Sequence, residues 1–380
     1  MEPFEIHVGD DVLADLRERL ARTRWPDEAD GVGWALGTDL AYLRDLVAYW
    51  RDGYDWRRAE ARLNAFAHFR TDVDGVVVHF VHARSATSDR ALPLVLTHGW
   101  PSTFAELLPI VRALTDPAAH GGDPADAFNV VIPSIPGFGY STPYTRPGPR
   151  PVPDLWAALM TRLGYERFGA AGSDIGARVT SRLGWHHPDR LAGIHLSSVD
   201  LEVPDPLPDD LTAEERDYLD RVRAWDEEEG AYAAQQRTRP QTLGYGLTDS
   251  PAGLAAWIVE KFRAWSDCAG DISSRFTRDE LLTTITLYWV TNTINSANRW
   301  YADRRDDPHA LRLPPGVRID VPTGIAMFPG EAQLVPPPSI VERCYRIVRW
   351  TDMPRGGHFP ALEEPGLLID DIRAFFRPLR

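Results

Sequence analysis

Residues 167–186 read RFGAAGSDIGARVTSRLGWH, and this stretch decides the fold. Its first five residues, Arg167–Ala171, form a short β-prone run, and apolar residues at helical spacing follow from Ile175 to His186. The order predicts a buried strand, a tight turn and a helix. The turn is GSDIG at residues 172–176, and its flanking glycines permit a bend that a Cβ atom would obstruct. It has the form of a nucleophile elbow with aspartate in place of serine.

The same alternation extends on both sides of the elbow. The other predicted strands are Leu92–Thr97, Asn129–Pro133, Gly193–Leu196, Thr323–Phe328 and Arg346–Thr351. The predicted helices are Phe104–Leu114, Leu155–Leu163, Ile175–His186 and a last one around Leu367–Phe376. Such alternation is typical of βαβ units, and it predicts a mostly parallel sheet with helices on both faces.

Two further regions fall outside this alternation. Residues 1–90 contain helical patterns at Asp11–Leu20 and Leu40–Trp50 and a strand-like one at Val76–Val81, which predict an N-terminal extension that packs on core and lid. Residues 206–312 begin acidic and continue as aromatic-rich helical sequence, which predicts a helical lid. The lid interrupts an α/β core formed by residues 91–205 and 313–380.

The composition bounds the class of protein. With 380 residues, 43% hydrophobic and 25% charged, we expect a folded protein of two or three structural units. The net charge of −14 disfavours nucleic acid and anionic membranes as partners. Two cysteines and no stretch of about 18 apolar residues lead us to expect a soluble, cytoplasmic protein without a disulfide framework, metal site or membrane span. The sequence leaves a homo-oligomer open.

Asp174 is the candidate nucleophile, although aspartate is also a favoured helix N-cap. Capping would be the better explanation if Asp174 stood alone. Three other elements of a hydrolytic site favour the nucleophile instead, because each follows its own predicted strand. The carboxyl ends of parallel strands gather reactive groups at one edge of a sheet.

His358 follows the last predicted strand, where a general base is expected. The carboxylate that orients its imidazole is expected after one of the strands that precede the histidine. Glu331 meets that requirement, because it follows Thr323–Phe328 directly. Asp352, close to His358 in sequence, is the second choice, and Asp320 lies before the strand at the wrong end of the sheet.

The turn His98-Gly99-Trp100-Pro101 follows the strand Leu92–Thr97. Its backbone predicts an oxyanion hole in which the N–H of Trp100 is one donor and the N–H of Ile175 is the other. His98 is then expected to be structural and not a base.

With these elements in the order oxyanion turn, Asp, acid and His, the sequence resembles the epoxide hydrolases of the microsomal type over nearly its whole length. The segments that carry the resemblance are His98–Pro101, Pro136–Ser141, Gly172–Gly176, Phe328–Glu331, Gly356–Phe359, Leu247–Trp257, Arg24–Pro26 and Tyr54–Arg57. The resemblance implies an α/β-hydrolase fold with an N-terminal extension and a helical lid. It also implies an aspartate nucleophile and no cofactor or metal.

The resemblance further implies two lid tyrosines that donate hydrogen bonds to the epoxide oxygen. Tyr301 matches the family pattern in Asn298-Arg299-Trp300-Tyr301, whereas the residues around Tyr232 depart from it. Lid packing is the alternative role for both, as it is for Tyr245 and Tyr288. Many relatives carry tryptophan where this chain has Ile175, from which we expect a different pocket shape. The resemblance does not lead us to expect the N-terminal membrane anchor of the mammalian members.

The expected reaction converts an epoxide and water to a vicinal diol through an ester on Asp174, which His358 and Glu331 then hydrolyse. The expected substrate is neutral, bulky and apolar, such as an aryl epoxide or an intermediate of secondary metabolism or detoxification. A haloalkane dehalogenase shares the nucleophile, but it usually holds the halide with a tryptophan beside it, where this chain has Ile175. A non-catalytic binder of the same fold is the third interpretation, and the presence of Asp, His and Glu argues against it.

Overall fold

A computed structural model describes residues 1–88, 90–143, 152–199, 201, 208–302, 316–332 and 334–380. Nine strands in this part of the chain form one sheet. The strands are β1 Glu2–Phe4, β2 His68–Val73, β3 Val76–Ala83, β4 Leu92–Thr97, β5 Phe128–Pro133, β6 Phe168–Gly172, β7 Leu191–Leu196, β8 Ile319–Met327 and β9 Tyr345–Asp352. Their order across the sheet is β1-β2-β3-β5-β4-β6-β7-β8-β9.

The sheet is parallel from β5 to β9 and antiparallel at one edge. The pairs β5–β4, β4–β6, β6–β7, β7–β8 and β8–β9 are parallel. The pairs β1–β2, β2–β3 and β3–β5 are antiparallel. The mostly parallel sheet expected from the sequence is therefore confirmed, and the parallel strands all end at one edge, where the candidate residues lie.

Fifteen α-helices occur in the described residues. The first six are α1 Asp10–Ala21, α2 Leu40–Asp52, α3 Trp56–Leu63, α4 Leu108–Thr115, α5 Val152–Arg162 and α6 Ile175–His186. The next six, which we call the lid, are α7 Ala213–Glu229, α8 Ala231–Thr238, α9 Pro240–Asp249, α10 Pro251–Ala264, α11 Arg278–Thr291 and α12 Ile294–Ala302. The last three are α13 Pro338–Glu342, α14 Pro360–Glu363 and α15 Pro365–Phe376. The predicted lid range of 206–312 extends beyond the described residues at 206–207 and 303–312.

The predicted core elements agree closely with these bounds. β4 and α6 match their predicted ranges residue for residue. The helix predicted over Phe104–Leu114 begins as a 3₁₀ turn, Phe104–Leu107, before it continues as α4. None of the helices in the described residues is long and apolar enough to cross a membrane.

The N-terminal extension differs from its prediction because part of it belongs to the sheet. The sequence analysis missed β1, β2 and α3. β2 pairs with β3 through a two-residue turn in which Asp74 and Gly75 both have positive φ, 52° and 84°. An Asp-Gly pair between strands is a strong hairpin signal, but the charged residues of β2 hid the strand pattern.

The helices of the extension contact the lid directly. The indole N–H of Trp50 donates to the hydroxyl of Thr286 at 3.0 Å, and the hydroxyl of Tyr49 donates to Asp279 at 2.8 Å. Tyr54 and Thr283 share a further hydrogen bond of 3.0 Å. The extension thus joins the sheet at one side and the lid helix α11 at the other.

Several histidines are buried in the sheet and its connections. His68 and His79 share a hydrogen bond of 3.0 Å between Nδ1 of His68 and Nε2 of His79, and burial lowers the pKa of both. Burial also lowers the pKa of His82 and of His98 to about 4. His98 accepts a backbone hydrogen bond from Ile135 at 3.2 Å, in agreement with the structural role expected for it.

Because these histidines are buried with lowered pKa values, we expect the protein to lose stability in mild acid. The unfolded chain binds protons below about pH 6.5, whereas the folded chain keeps the buried imidazoles neutral, so the free energy of unfolding should fall as the pH decreases from 6.5 to 5. We expect His82→Gln to reduce this pH dependence. Urea denaturation at pH 7, 6 and 5 measures it. His120→Gln changes an exposed histidine and serves as the control. An equal slope in His82→Gln and the parent protein would contradict the prediction.

Candidate active site

The elbow at Asp174 is a strained turn that requires its neighbouring glycines. Asp174 has a φ of 51°, which is uncommon for a residue other than glycine. A Cβ atom on Gly172 would lie 2.4 Å from the carbonyl oxygen of Gly176, and one on Gly176 would lie 2.0 Å from that of Thr97. The chain therefore needs glycine at both positions to bring Asp174 to the end of β6.

The carboxylate of Asp174 contacts the oxyanion turn and does not cap α6. Its Oδ1 accepts a hydrogen bond of 2.8 Å from the backbone N–H of Trp100. Asp174 occupies the N-cap position of α6, but its side chain makes no capping hydrogen bond. Gly99 makes the contact possible, since a Cβ there would lie 2.5 Å from Oδ1. The backbone N–H of Asp174 donates to Ser198 at 2.7 Å.

His358 lies between two carboxylates. Its Nδ1 is 2.6 Å from Oε1 of Glu331, and its Nε2 is 3.7 Å from Oδ2 of Asp174. All three side chains are buried. Asp352, the second choice of partner, instead accepts from the indole of Trp350 at 2.9 Å. The structure thus brings together the three residues that the sequence ranked first.

The electrostatic surroundings of His358 favour its charged form. Burial alone would lower the pKa of the imidazole. The charge and hydrogen bond of Glu331 outweigh burial and, together with the charge of Asp174, raise the pKa to about 9. The raised pKa of the imidazole therefore favours its protonated form in the resting protein, where the ring lies between Glu331 and Asp174.

Tyr232 and Tyr301 come together from two lid helices, α8 and α12. Their ring centroids are 5.9 Å apart, and both rings contact the indole of Trp100, at 5.3 and 5.9 Å. Burial raises the pKa of Tyr301 well above its usual value, with smaller contributions from Tyr232 and Asp174. At neutral pH the phenol of Tyr301 is a hydrogen-bond donor.

Tyr245 and Tyr288, the other lid tyrosines considered in the sequence, lie elsewhere. Tyr245 is 73% exposed. Tyr288 is buried and donates to the carbonyl oxygen of Ser102 at 2.9 Å, so that it supports the oxyanion turn.

The helix that carries Tyr301 is fixed to the core by its polar side chains. The indole N–H of Trp300 donates to the carbonyl oxygen of Pro136 at 2.9 Å, and the hydroxyl of Ser296 donates to that of Gly137 at 2.6 Å. Asn298 accepts from the indole N–H of Trp100 at 3.2 Å. Pro136, Gly137 and the oxyanion turn thus each hold α12 by a hydrogen bond.

Two residues of the site were not identified from the sequence as parts of it. Trp265 packs edge-on against His358, with ring centroids 5.0 Å apart, and also contacts Tyr232 at 5.1 Å. Ser198 holds the backbone of Asp174. The two serines that follow the buried strand β7 were a usable signal for Ser198. Nothing in the local sequence distinguishes Trp265 from other lid aromatics.

Ile175 begins α6 and is buried, and its role as the second oxyanion donor stays a prediction. In the described part of the chain no group of three His, Cys, Asp or Glu side chains could hold a metal ion. The arrangement supplies instead a carboxylate, a histidine paired with a glutamate, a backbone donor and two phenols. Such a set can form and hydrolyse an ester.

Comparison with known proteins shows which family models and relatives this chain resembles. Residues 1–107 match the family model described as epoxide hydrolase N terminus, and residues 93–244 match alpha/beta hydrolase fold. A putative epoxide hydrolase of Stigmatella aurantiaca (strain DW4/3-1) is 45% identical over 100% of this chain and 85% of its own length. Epoxide hydrolase 1 of Sus scrofa is 33% identical over 99% of this chain and 88% of its own length. The crystal structure of juvenile hormone epoxide hydrolase from the silkworm Bombyx mori has a TM-score of 0.91 at 29% identity and covers 100% of this chain and 94% of its own.

The site predicts a measurable titration of His358. We expect its imidazole to titrate near pH 9 and its pKa to fall by about 1 to 3 pH units in Glu331→Gln, because that substitution removes both a neighbouring charge and a charged acceptor. Asp174→Asn should lower the pKa less. NMR of protein with ¹³C-labelled histidine measures the titration, and His358→Gln assigns the signal.

Asp352→Asn is the matched control, because it neutralises a carboxylate that is near in sequence but bonded to Trp350. It should leave the titration unchanged. An equal decrease in Asp352→Asn and Glu331→Gln would show that the pairing with Glu331 is not what holds the proton.

Proposed function

This chain belongs to the epoxide hydrolase family and hydrolyses the ether bond of an epoxide, and we propose that Asp174 carries the reaction by forming an ester with a ring carbon. The observation that supports this most directly is the position of the two carboxylate oxygens. Oδ1 is held by the N–H of Trp100 at 2.8 Å, and so Oδ2 is the oxygen we assign to attack. A carboxylate that attacks a saturated carbon gives an ester whose carbonyl belongs to the enzyme.

The ring oxygen gains negative charge as its bond to carbon breaks, and we assign Tyr232 and Tyr301 as its donors. Both phenols are buried beside Trp100, the residue that donates to Asp174. One phenol gives its proton to the alkoxide, which completes the first hydroxyl group. The phenolate regains a proton as the imidazolium of His358 loses one, and both groups are then neutral.

The reaction has two halves, formation of the ester and its hydrolysis. The charge on Asp174 changes between them, and with it the pKa of His358. That charge contributes to the raised pKa of His358, and the ester removes it. The pKa of the imidazole therefore falls after the ester has formed, when a base is needed. Glu331 keeps Nδ1 engaged throughout, so that Nε2 is the nitrogen that accepts a proton.

Water then attacks Cγ of Asp174 while Nε2 of His358 takes its proton. The negative charge that develops on Oδ1 is stabilised by the N–H of Trp100, with the N–H of Ile175 as the second donor. The bond from Cγ to Oδ2 breaks, and His358 returns the proton to Oδ2, which leaves as the second hydroxyl group of the diol. The new carboxyl group passes its own proton to His358, which restores the resting state. One epoxide and one water molecule have become a vicinal diol.

The surroundings of Asp174 support a neutral, apolar substrate. Trp100, Trp265 and the two lid tyrosines form an aromatic cluster around the carboxylate and His358. The net charge of −14 disfavours anionic molecules. A bulky or aryl-substituted epoxide fits both features, because a ring on the substrate can pack against these aromatic faces.

A single turnover in ¹⁸O-labelled water tests the ester. With enzyme in excess over an aryl epoxide, we expect the label in the side chain of Asp174 and not in the diol, since water attacks Cγ and the diol takes the original carboxylate oxygen. Mass analysis of the peptide that contains Asp174 and of the diol gives the result. Asp174→Asn should form no ester and lose diol production. Label that appears only in the diol, or undiminished turnover by Asp174→Ala, would overturn the proposal.

The two half-reactions should respond to different substitutions. Tyr301→Phe should slow ester formation by about 10²-fold or more, because the alkoxide loses a proton donor. His358→Gln should leave ester formation nearly unchanged and block its hydrolysis, so that the ester accumulates. Rapid quenching followed by intact-protein mass spectrometry measures both rates.

Tyr245→Phe is the control for Tyr301→Phe, because it removes the same atom from an exposed tyrosine of the lid. It should change neither rate. If Tyr301→Phe formed the ester as fast as Tyr245→Phe, the assignment of Tyr301 as a proton donor would be wrong.

A further inference from the structure

The loop that carries His358 is held by a loop of the lid. The lid loop, residues 265–275, connects α10 with α11, and the histidine loop, residues 353–359, follows β9. The backbone N–H of His358 donates to the carbonyl oxygen of Trp265 at 2.9 Å. Two carboxylates add to this contact, and neither takes part in the reaction described above.

Asp267 and Glu363 connect the two loops through backbone hydrogen bonds. Oδ2 of Asp267 accepts from the N–H of Gly356 at 2.9 Å. Glu363 accepts from Phe359, next to the catalytic histidine, at 2.9 Å with Oε1, and from the N–H of Asp267 at 2.8 Å with Oε2. Each carboxylate thus holds the backbone within two residues of His358.

Two arginines, one from each loop, complete the contact. Arg275 binds Asp267 twice, with Nε to its carbonyl oxygen at 2.6 Å and Nη2 to Oδ2 at 2.9 Å. Its Nη1 donates to Glu364 at 2.9 Å, and Glu364 also accepts from Arg355 of the histidine loop at 2.7 Å. The lid loop and the histidine loop are therefore joined by charged as well as backbone groups.

The histidine loop needs such support because two glycines precede His358. Gly356 has a φ of 100°, and a Cβ on Gly357 would lie 2.8 Å from the backbone of both Trp265 and Asp267. Glycine permits the close approach of the lid loop, but it leaves the histidine loop without conformational restraint of its own. The loop that carries Glu331 is also joined to the histidine loop, because the N–H of Gly330 donates to the carbonyl oxygen of Gly356 at 2.9 Å.

We propose that Asp267 and Glu363 are positioning residues for hydrolysis of the ester, because they hold the histidine loop against the lid loop so that His358 faces Cγ of Asp174. The inference rests on the proposed function, in which His358 acts only after the ester has formed. Attack by Asp174 uses the elbow and the lid tyrosines, and none of these contacts Asp267 or Glu363 through the hydrogen bonds described. Loss of either carboxylate should therefore slow the second half-reaction and spare the first.

Glu363→Gln is the sharpest variant, because it keeps the volume of the side chain but replaces one acceptor with an NH₂ group. One of the two buried backbone N–H groups then loses its partner. We expect ester formation within about twofold of the parent rate and ester decay slower by up to about 100-fold, as for a catalytic group misplaced by about 1 Å. The ester should accumulate in the steady state, as measured by rapid quenching and intact-protein mass spectrometry.

Asp267 provides a second test at a side chain that is 35% exposed, where substitution threatens folding less. Asp267→Ala should slow ester decay more than Asp267→Asn does, because the asparagine oxygen can still accept from the N–H of Gly356. This graded response distinguishes positioning of the loop from a general loss of stability.

Glu215→Gln is the matched control, since Glu215 is also a buried carboxylate, caps α7 and pairs with Arg343 at 3.0 Å. It should lower thermal stability and leave both rates unchanged. Equal slowing of both half-reactions in Glu363→Gln, unchanged decay, or a similar slow decay in Glu215→Gln would overturn the inference alone. Failure of the parent protein to form an ester on Asp174 would overturn the proposed function and the inference with it.

Discussion

The hydrogen bond from the N–H of Trp100 to Oδ1 of Asp174 is the contact on which the rest of the site depends. It requires the positive φ of Asp174, and it requires glycine at position 99. The bond orients the carboxylate so that its second oxygen lies towards His358. It also joins the turn after β4 to the turn after β6, two strands that are neighbours in the sheet. The strain of the elbow is thus offset by the packing of parallel strands that end together.

Much of the core could be predicted because its signals are local. The apolar run of β4 and the glycine-flanked elbow before α6 gave bounds that match the structure. β1 and β2 were missed, because the short β1 becomes a strand only by pairing with β2, and β2 depends in turn on its pairing with β3. In an edge strand the pairing partner decides the conformation more than intrinsic propensity does.

In the candidate site, too, the residues placed by strand order could be predicted, whereas contacts between segments far apart in the sequence could not. Asp174, Glu331 and His358 follow the parallel strands β6, β8 and β9, and the order of a parallel sheet was enough to bring them together in the prediction. The contact of Trp265 with the histidine loop and the contact of Glu363 with Asp267 depend on how a lid loop folds back onto a part of the core about 90 residues further along the chain. Periodicity in the sequence carries no information about such contacts.

The hydrogen bonds that join α2 and the segment after it to α11 have a consequence for the ancestry and engineering of this architecture. The lid contacts the N-terminal extension as well as the core. The side chains of the extension and of the lid must therefore fit each other. A lid grafted from a homologue would meet foreign partners at Tyr49, Trp50 and Tyr54. Recombination within such proteins should therefore succeed more often when the leading segment and the inserted helices are exchanged as one block.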